Sequence, residues 1–154
     1  MSAALTVGSW QVQAIPAEWE ILPGHGLRRT GDHVFPSTIV FSEENMPAGL
    51  TLPTYIKNQI EGMKVLFRNL RIKGPVPIAM PEANEAQRVG VSYKSADGHE
   101  VIHVQIYATA ADLVGIVTLT TVTEEASKIS AMFQDILANL RFRAPGQKDK
   151  VPKQ

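Results

Sequence analysis

Apolar and polar residues alternate in several stretches of the chain, and this period of two is typical of β-strands with one buried face. The first such stretch, Trp10–Ile15, predicts an edge strand that Pro16 ends. Further strands are predicted at Trp19–Leu22, at Ser37–Ser42, at Arg71–Met80 (an edge strand broken by Gly74, Pro75 and Pro77) and at Leu113–Thr121.

Two other stretches repeat apolar residues at intervals of three and four, which predicts amphipathic helices. Thr51 is suited to cap the first helix and Pro53 to its first turn. Thr123 is the predicted cap of the second, with Glu124 and Glu125 in its first turn, where the helix dipole favours acids. The predicted buried stripes are Ile56, Ile60, Met63, Phe67 and Leu70, then Ile129, Met132, Phe133, Ile136, Leu137 and Leu140.

Two amphipathic helices need a shared apolar surface, and an antiparallel sheet with one apolar face supplies it. We therefore predict an α+β layered domain in which both helices lie on the core face of the sheet or at its flanks. A single domain is expected over residues 1–143. Residues 144–154 lack core-forming side chains, and we expect a disordered tail there.

The segment around Asp97-Gly98 predicts a β-hairpin, because this dipeptide favours a type I′ turn. If the two residues occupy the turn, Tyr93 pairs with Ile102 and Val91 with Val104. One face then carries Val89, Val91, Tyr93, Ile102, Val104 and Ile106 and is predicted to be core. The opposite face carries Arg88, Gly90, Ser92, Lys94, Val101, His103, Gln105 and Tyr107.

The second strand of this hairpin contains His99-Glu100-x-x-His103, which matches the H-E-x-x-H zinc motif. The motif works on a helix, where both imidazoles reach one ion, and Glu124 or Glu125 could supply a third ligand. On a strand the two histidines are about 13 Å apart, too far to share a zinc ion. Because Val101, Ile102, Val104 and Ile106 favour a strand, we prefer the hairpin and predict no metal or cofactor.

The composition of the chain excludes several classes of function. Fifteen basic residues balance fifteen acidic ones, so no net charge favours nucleic acid or an anionic membrane. Cysteine is absent, which excludes disulfides and a thiol nucleophile. We find no apolar run of membrane-spanning length and no secretion signal, and expect a soluble cytoplasmic protein.

A glycine-rich stretch after Trp19 brings together His25, Arg28, Arg29 and His33. We interpret it as a solvated loop, with an anion site as the alternative.

The segment FPSTIVFSEENMPAGLTLPTYIKNQIEGM, with Leu52 and Tyr55 at the helix start, is followed by the hairpin and the final helix. This order of elements resembles the DcrB/PsbP-like superfamily, and most of all its Eag branch, the chaperones of type VI secretion effectors. The resemblance covers about Trp10 to Phe142. Two features depart from that branch. In the opening segment Trp19-Glu20-Ile21 is followed by the glycine-rich stretch, and the net charge of the chain is neutral.

The resemblance implies a homodimeric chaperone that binds the apolar N-terminal helices of a secreted effector and has no catalytic role. Another PsbP-like domain that binds a different protein or an apolar ligand is the alternative, and a zinc hydrolase is the least favoured hypothesis. The predicted partner-binding surface consists of Arg88, Val101, His103, Gln105 and Tyr107, on the face opposite the predicted core. Gln105 offers hydrogen bonds to a bound helix, and Tyr107 offers an amphipathic anchor.

Overall fold

The structure is a computed structural model, and it describes residues 3–22, 26–31 and 37–144. Within these ranges the first half of the chain forms β1 (Ala3–Val7), β2 (Trp10–Ile15), β3 (Trp19–Leu22), β4 (Gly26–Arg29), β5 (Thr38–Asn45), α1 (Leu52–Leu66) and β6 (Arg71–Pro77). The second half forms β7 (Glu85–Lys94), β8 (Glu100–Ala110), β9 (Leu113–Val122), α2 (Thr123–Ala138) and β10 (Leu140–Phe142).

Seven of these strands form one antiparallel sheet in the order β3-β4-β5-β9-β8-β7-β6. The other three form a small antiparallel sheet in the order β1-β2-β10. β2 is thus the centre of the small sheet and not the edge strand that its sequence predicted. The prediction of β6 as a broken edge strand is confirmed, since its pairing with β7 shifts register between Lys73 and Val76.

The large sheet buries residues on both faces. On one face, α1 contributes Tyr55, Ile56 and Ile60 to a cluster with Val89 and Tyr107 of the sheet. On the other face, α2 and the small sheet pack over a larger cluster that contains Trp10, Leu27, Phe41, Ile106, Phe133 and Phe142. The α+β class is therefore as predicted, but the two helices lie on opposite faces and not on one core face.

The helix starts agree with the sequence in part. Thr51 caps α1, and its hydroxyl accepts a hydrogen bond from the backbone N–H of Thr54. In α2 the cap position is Val122, and Thr123 is already helical, so the predicted cap is wrong by one residue. Within the predicted stripes Ile56, Ile60, Ile129, Phe133, Ile136 and Leu140 are buried, whereas Met63, Phe67, Leu70, Met132 and Leu137 are partly exposed.

The predicted hairpin exists, but its register differs by one residue. Tyr93 pairs with Val101 and not with Ile102. The backbone N–H of Ser95 donates to the carbonyl of His99 at 2.8 Å, which encloses a three-residue loop whose last member, Gly98, has φ of +89°. Such a loop, a turn followed by a left-handed residue, adds one residue to the two-residue turn that Asp97-Gly98 predicted.

A shift of one residue exchanges the face of every side chain on one strand relative to the other. The face toward α1 carries Gln87, Val89, Val91 and Tyr93 of β7 with Val101, His103, Gln105 and Tyr107 of β8. The face toward α2 carries Ala86, Arg88, Gly90, Ser92 and Lys94 of β7 with Ile102, Val104, Ile106 and Ala108 of β8. The predicted grouping of one core face and one solvated face is therefore wrong.

Ala144, the first residue of the predicted tail, is buried in the larger cluster. The remainder of that tail, residues 145–154, lies outside the described residues.

Candidate functional site

Part of the sheet face beside α1 is not covered by the helix. Helix α1 packs over Val89 of β7, Tyr107 of β8 and Val114 of β9. Phe67, just after the end of the helix, stacks on Tyr93 with ring centroids 4.1 Å apart. Strands β8, β9 and β5 continue beyond it. We call the exposed and half-buried residues there the open face: Thr38, Val40, His103, Gln105, Thr118 and Thr120.

His103 is the most constrained residue of the open face. Its Nδ1 lies 2.9 Å from the hydroxyl of Thr120, and its Nε2 lies 3.2 Å from the hydroxyl of Tyr93. Its ring also stacks on that of Tyr93 at 5.5 Å. Burial lowers the pKa of His103 below its usual value near 6.5. His103 is therefore neutral at pH 7, with both ring nitrogens engaged.

The side chain of Gln105 is oriented by a hydrogen bond from Tyr107, a buried residue on the same face of β8. The hydroxyl of Tyr107 donates to Oε1 of Gln105 at 2.7 Å, and the Tyr107 side chain is 0 % exposed. The ring of Tyr107 meets that of Tyr55 edge-on, and the Tyr55 hydroxyl donates to Glu44. Burial raises the pKa of both tyrosines far above the usual range. Because its oxygen is fixed, Gln105 has its amide N–H groups left to serve a ligand.

The five residues predicted to bind a partner do not form one exposed surface. Arg88 lies on the opposite face of the sheet, toward α2. Val101 and Tyr107 lie on the α1 side but are buried. Only His103 and Gln105 are both on the open face and partly accessible.

Three further residues of the open face were not predicted from the sequence. The register places Val40, Thr118 and Thr120 beside His103 and Gln105. Thr118 and Thr120 alternate with buried Val117, Leu119 and Thr121 in β9. That alternation is visible in the sequence and could have identified one accessible face of β9.

Glu100 to His103 of the H-E-x-x-H segment lie on β8, and His99 directly precedes it, so the predicted strand is confirmed. Among the described residues no group of three or more His, Asp or Glu side chains could hold a metal ion. Glu125, once a possible third ligand, forms a 2.8 Å ion pair with Arg29.

Arg28 and Arg29 lie on β4 and not in a loop, which corrects that part of the prediction. Each is paired with an acid, Arg28 with Glu20 and Arg29 with Glu125. His25 and His33 lie outside the described residues. The arrangement of the arginines gives the predicted alternative of an anion site no support.

Neither α1 nor α2 is long and apolar enough to cross a bilayer.

No family model matches the sequence, and no curated protein matches it. Solved structures do match. LpqN of Mycobacterium tuberculosis, described as involved in cell envelope biogenesis, has a TM-score of 0.62 at 16 % identity, covering 92 % of this chain and 90 % of that one. The Pseudomonas aeruginosa protein PA94, of unknown function, has a TM-score of 0.63 at 13 % identity, covering 86 % and 91 %.

The cyanobacterial PsbP protein CyanoP of Synechocystis has a TM-score of 0.57 at 12 % identity, covering 87 % of this chain and 86 % of that one. The Ran-binding protein Mog1p of Saccharomyces cerevisiae has a TM-score of 0.56 at 10 % identity, covering 92 % and 96 %. At these identities the likeness concerns the fold and not the activity. This chain has a PsbP-like α+β fold.

Proposed function

We propose that this protein is a non-catalytic binding module that holds apolar helices of a partner protein on its open face. The observation that carries the proposal is the uncovered sheet surface beside α1. Val40 is 45 % exposed at one side of it, and threonine hydroxyls and the Gln105 amide are spread across it. Such a surface can contact an apolar helix and can also tolerate water when the helix is absent.

The exposed end of α1 adds apolar area on the same side of the sheet. Val65 is 86 % exposed and Leu66 is 75 % exposed, close in sequence to Phe67, which stacks on Tyr93. Two large aliphatic side chains in succession at a helix end contribute nothing to either buried cluster. They can extend the contact area for a helix lying on the open face.

The resemblance to the Eag branch supports a more specific proposal. The bound helices are those at the N-terminus of a type VI secretion effector, and the chaperone shields their apolar faces from water until export. A homodimer would place two open faces on one effector, which gives longer helices a continuous surface. The structural neighbours support a binding role in general, since one of them is described as a Ran-binding protein.

The experiment is co-expression with an effector fragment that contains the N-terminal apolar helices, followed by affinity purification. We expect the fragment to co-purify with the wild-type chain and to be lost with Val40→Asp or Thr118→Asp, which place a charge against the helix. Lys57→Glu is the matched control, because Lys57 is an exposed residue of α1. Thermal melts should show all three variants folded.

Retention of the fragment by a Val40→Asp, Thr118→Asp double variant would contradict the open face as the binding surface. Failure of the wild-type chain to co-purify with any such fragment would favour the other interpretation, a PsbP-like domain with a different protein or apolar ligand. Sedimentation of the purified complex tests the dimer separately. A strict monomer at micromolar concentration would argue against the Eag-like arrangement alone.

A further inference from the structure

The face of the large sheet toward α2 has an uncovered part of its own, at the β6–β7 edge. Here the register places four basic residues on one face: Arg71 and Lys73 of β6, with Arg88 and Lys94 of β7. We call this set the basic stripe. Arg71 is opposite Ser92, and Lys73 is opposite Gly90, so the four cations surround the middle of β7.

The stripe is poor in compensating charge although the whole chain is neutral. Glu100, which pairs with Lys94 across β7 and β8, approaches Arg71 at 3.9 Å, and both side chains are exposed. Within the part of the chain that the structure describes, Lys73, Arg88 and Lys94 form no ion pair. The local field is therefore positive, while the acids that balance it lie elsewhere on the molecule.

The surface between Arg71, Lys73 and Lys94 is concave and partly apolar. Two adjoining cavities, of about 370 Å³ and 270 Å³, share Arg71, Ser92 and Glu100 as walls. Gly90 and half-buried Ile102 line the second cavity. A side chain at Gly90 would meet only Lys73, at 3.7 Å, so the groove at this point is space that the glycine leaves free.

The length of the stripe decides what can occupy it. Arg88 and Lys94 are six residues apart on one strand, which at about 3.4 Å per residue separates their Cα atoms by about 20 Å. A single phosphate or carboxylate cannot reach cations at both ends. An extended segment of about six residues can, because its own rise per residue is nearly the same. The segment cannot join the edge as a further strand through the positions of Pro75 and Pro77, which lack N–H groups.

We propose that the basic stripe is a docking groove for an acidic, extended segment of a partner protein, with apolar side chains of that segment resting over Gly90 and Ile102. The groove lies on the sheet face opposite the open face, so it can be occupied together with the helices of the proposed function. Complementary charge here governs the rate of encounter and the choice of partner.

The test is fluorescence anisotropy with a fluorescein-labelled short peptide of alternating glutamate and leucine. A peptide with lysine in place of glutamate is the control for charge. We expect the acidic peptide to bind the wild-type chain and the basic peptide not to bind. Binding should weaken as salt is raised, because exposed charges are screened beyond about 10 Å at ~0.1 M ionic strength.

Two kinds of variant distinguish the effect of the positive charge on peptide binding from the effect of the shape of the groove. Lys73→Glu with Lys94→Glu should weaken peptide binding at least roughly tenfold, because like charges then face the acidic segment. Gly90→Val should also weaken it, by filling the groove, and should leave the melting temperature unchanged or higher, since valine suits a strand. Lys57→Glu, on α1 across the sheet, should bind the peptide as the wild type does.

Equal binding by the Lys73→Glu, Lys94→Glu variant would overturn the proposal. Displacement of the peptide by inorganic phosphate at equal concentration would also overturn it, in favour of a small-anion site. Binding to phosphatidylserine-containing vesicles without binding to the acidic peptide would replace the groove with a membrane-facing surface. None of these results concerns Val40 or Thr118. The proposed function is therefore tested separately, by the co-purification experiment with the Val40→Asp and Thr118→Asp variants.

Discussion

Tyr107 links the stability of the α1 side to the geometry of the open face. The side chain is fully buried beneath α1, in edge-on contact with Tyr55, and its hydroxyl orients Gln105. Truncation to alanine removes an aromatic ring from a close-packed cluster. Such changes cost ~3–5 kcal/mol, and in a protein of this size each kcal/mol lowers the melting temperature by about 2–4 °C.

Tyr107→Ala should therefore lower the free energy of unfolding by ~3–5 kcal/mol and the melting temperature by roughly 6–20 °C. Tyr107→Phe keeps the ring and removes only the hydrogen bond to Gln105, so it should cost about 1 kcal/mol. Urea denaturation of both variants beside the wild type gives the free energies directly, and unchanged slopes confirm that the same transition is compared.

The two variants also separate folding from binding. Tyr107→Phe leaves the cluster packed but frees the Gln105 side chain to rotate. Weaker binding of the proposed partner, with a melting temperature only about 2–4 °C lower, therefore identifies the orientation of Gln105 as the cause. A cost below about 1 kcal/mol for Tyr107→Ala would refute the reasoning, because a fully buried ring cannot be removed that cheaply.

Phe133→Ala, in the middle of the α2 stripe, should cost ~3–5 kcal/mol in the same denaturation experiment, and a much smaller loss would contradict its burial against the sheet. Gly115→Ala should cost about 1–3 kcal/mol because the added methyl would lie 2.4 Å from the Phe142 ring. Gly62→Ala, in open space on α1, should instead stabilise by up to about 1 kcal/mol, so equal effects of the two glycine changes would refute the packing argument. The lowered pKa of His103 means that the unfolded chain binds a proton at higher pH than the folded one, so stability should fall as pH drops below about 6.5. His103→Gln should flatten that dependence in melts at several pH values.

The elements themselves could be predicted because their evidence is local. Thr51 with Pro53 marks the start of α1, and the β-branched content of Leu113–Thr121 marks β9, without reference to any distant residue. The centre of the small sheet could not be predicted in this way. β2 pairs with β10, and nothing near Trp10 indicates that partner.

The predicted binding surface was wrong because the turn between β7 and β8 was predicted one residue too short. Asp97-Gly98 is consistent with a two-residue turn, and the chain uses a three-residue loop that begins at Ala96. That single residue moved Arg88 to the other face and placed Tyr107 beside Val89 in the core. The two-residue turn gathers most apolar side chains of the hairpin on one face, which suits a sheet covered on one side. This sheet buries residues on both faces, and α1 lies over Tyr107.

The pairing of β10 with β2 has a consequence for the order in which the molecule folds. Strands β7, β8 and β9 are joined by short connections and pair with their neighbours in sequence, so they require little loop closure. Leu140 pairs with Val12 only after nearly the whole chain has been brought together. We expect the hairpins of the large sheet to form early and the small sheet to close last, with α2 and Trp10 becoming buried in that final step.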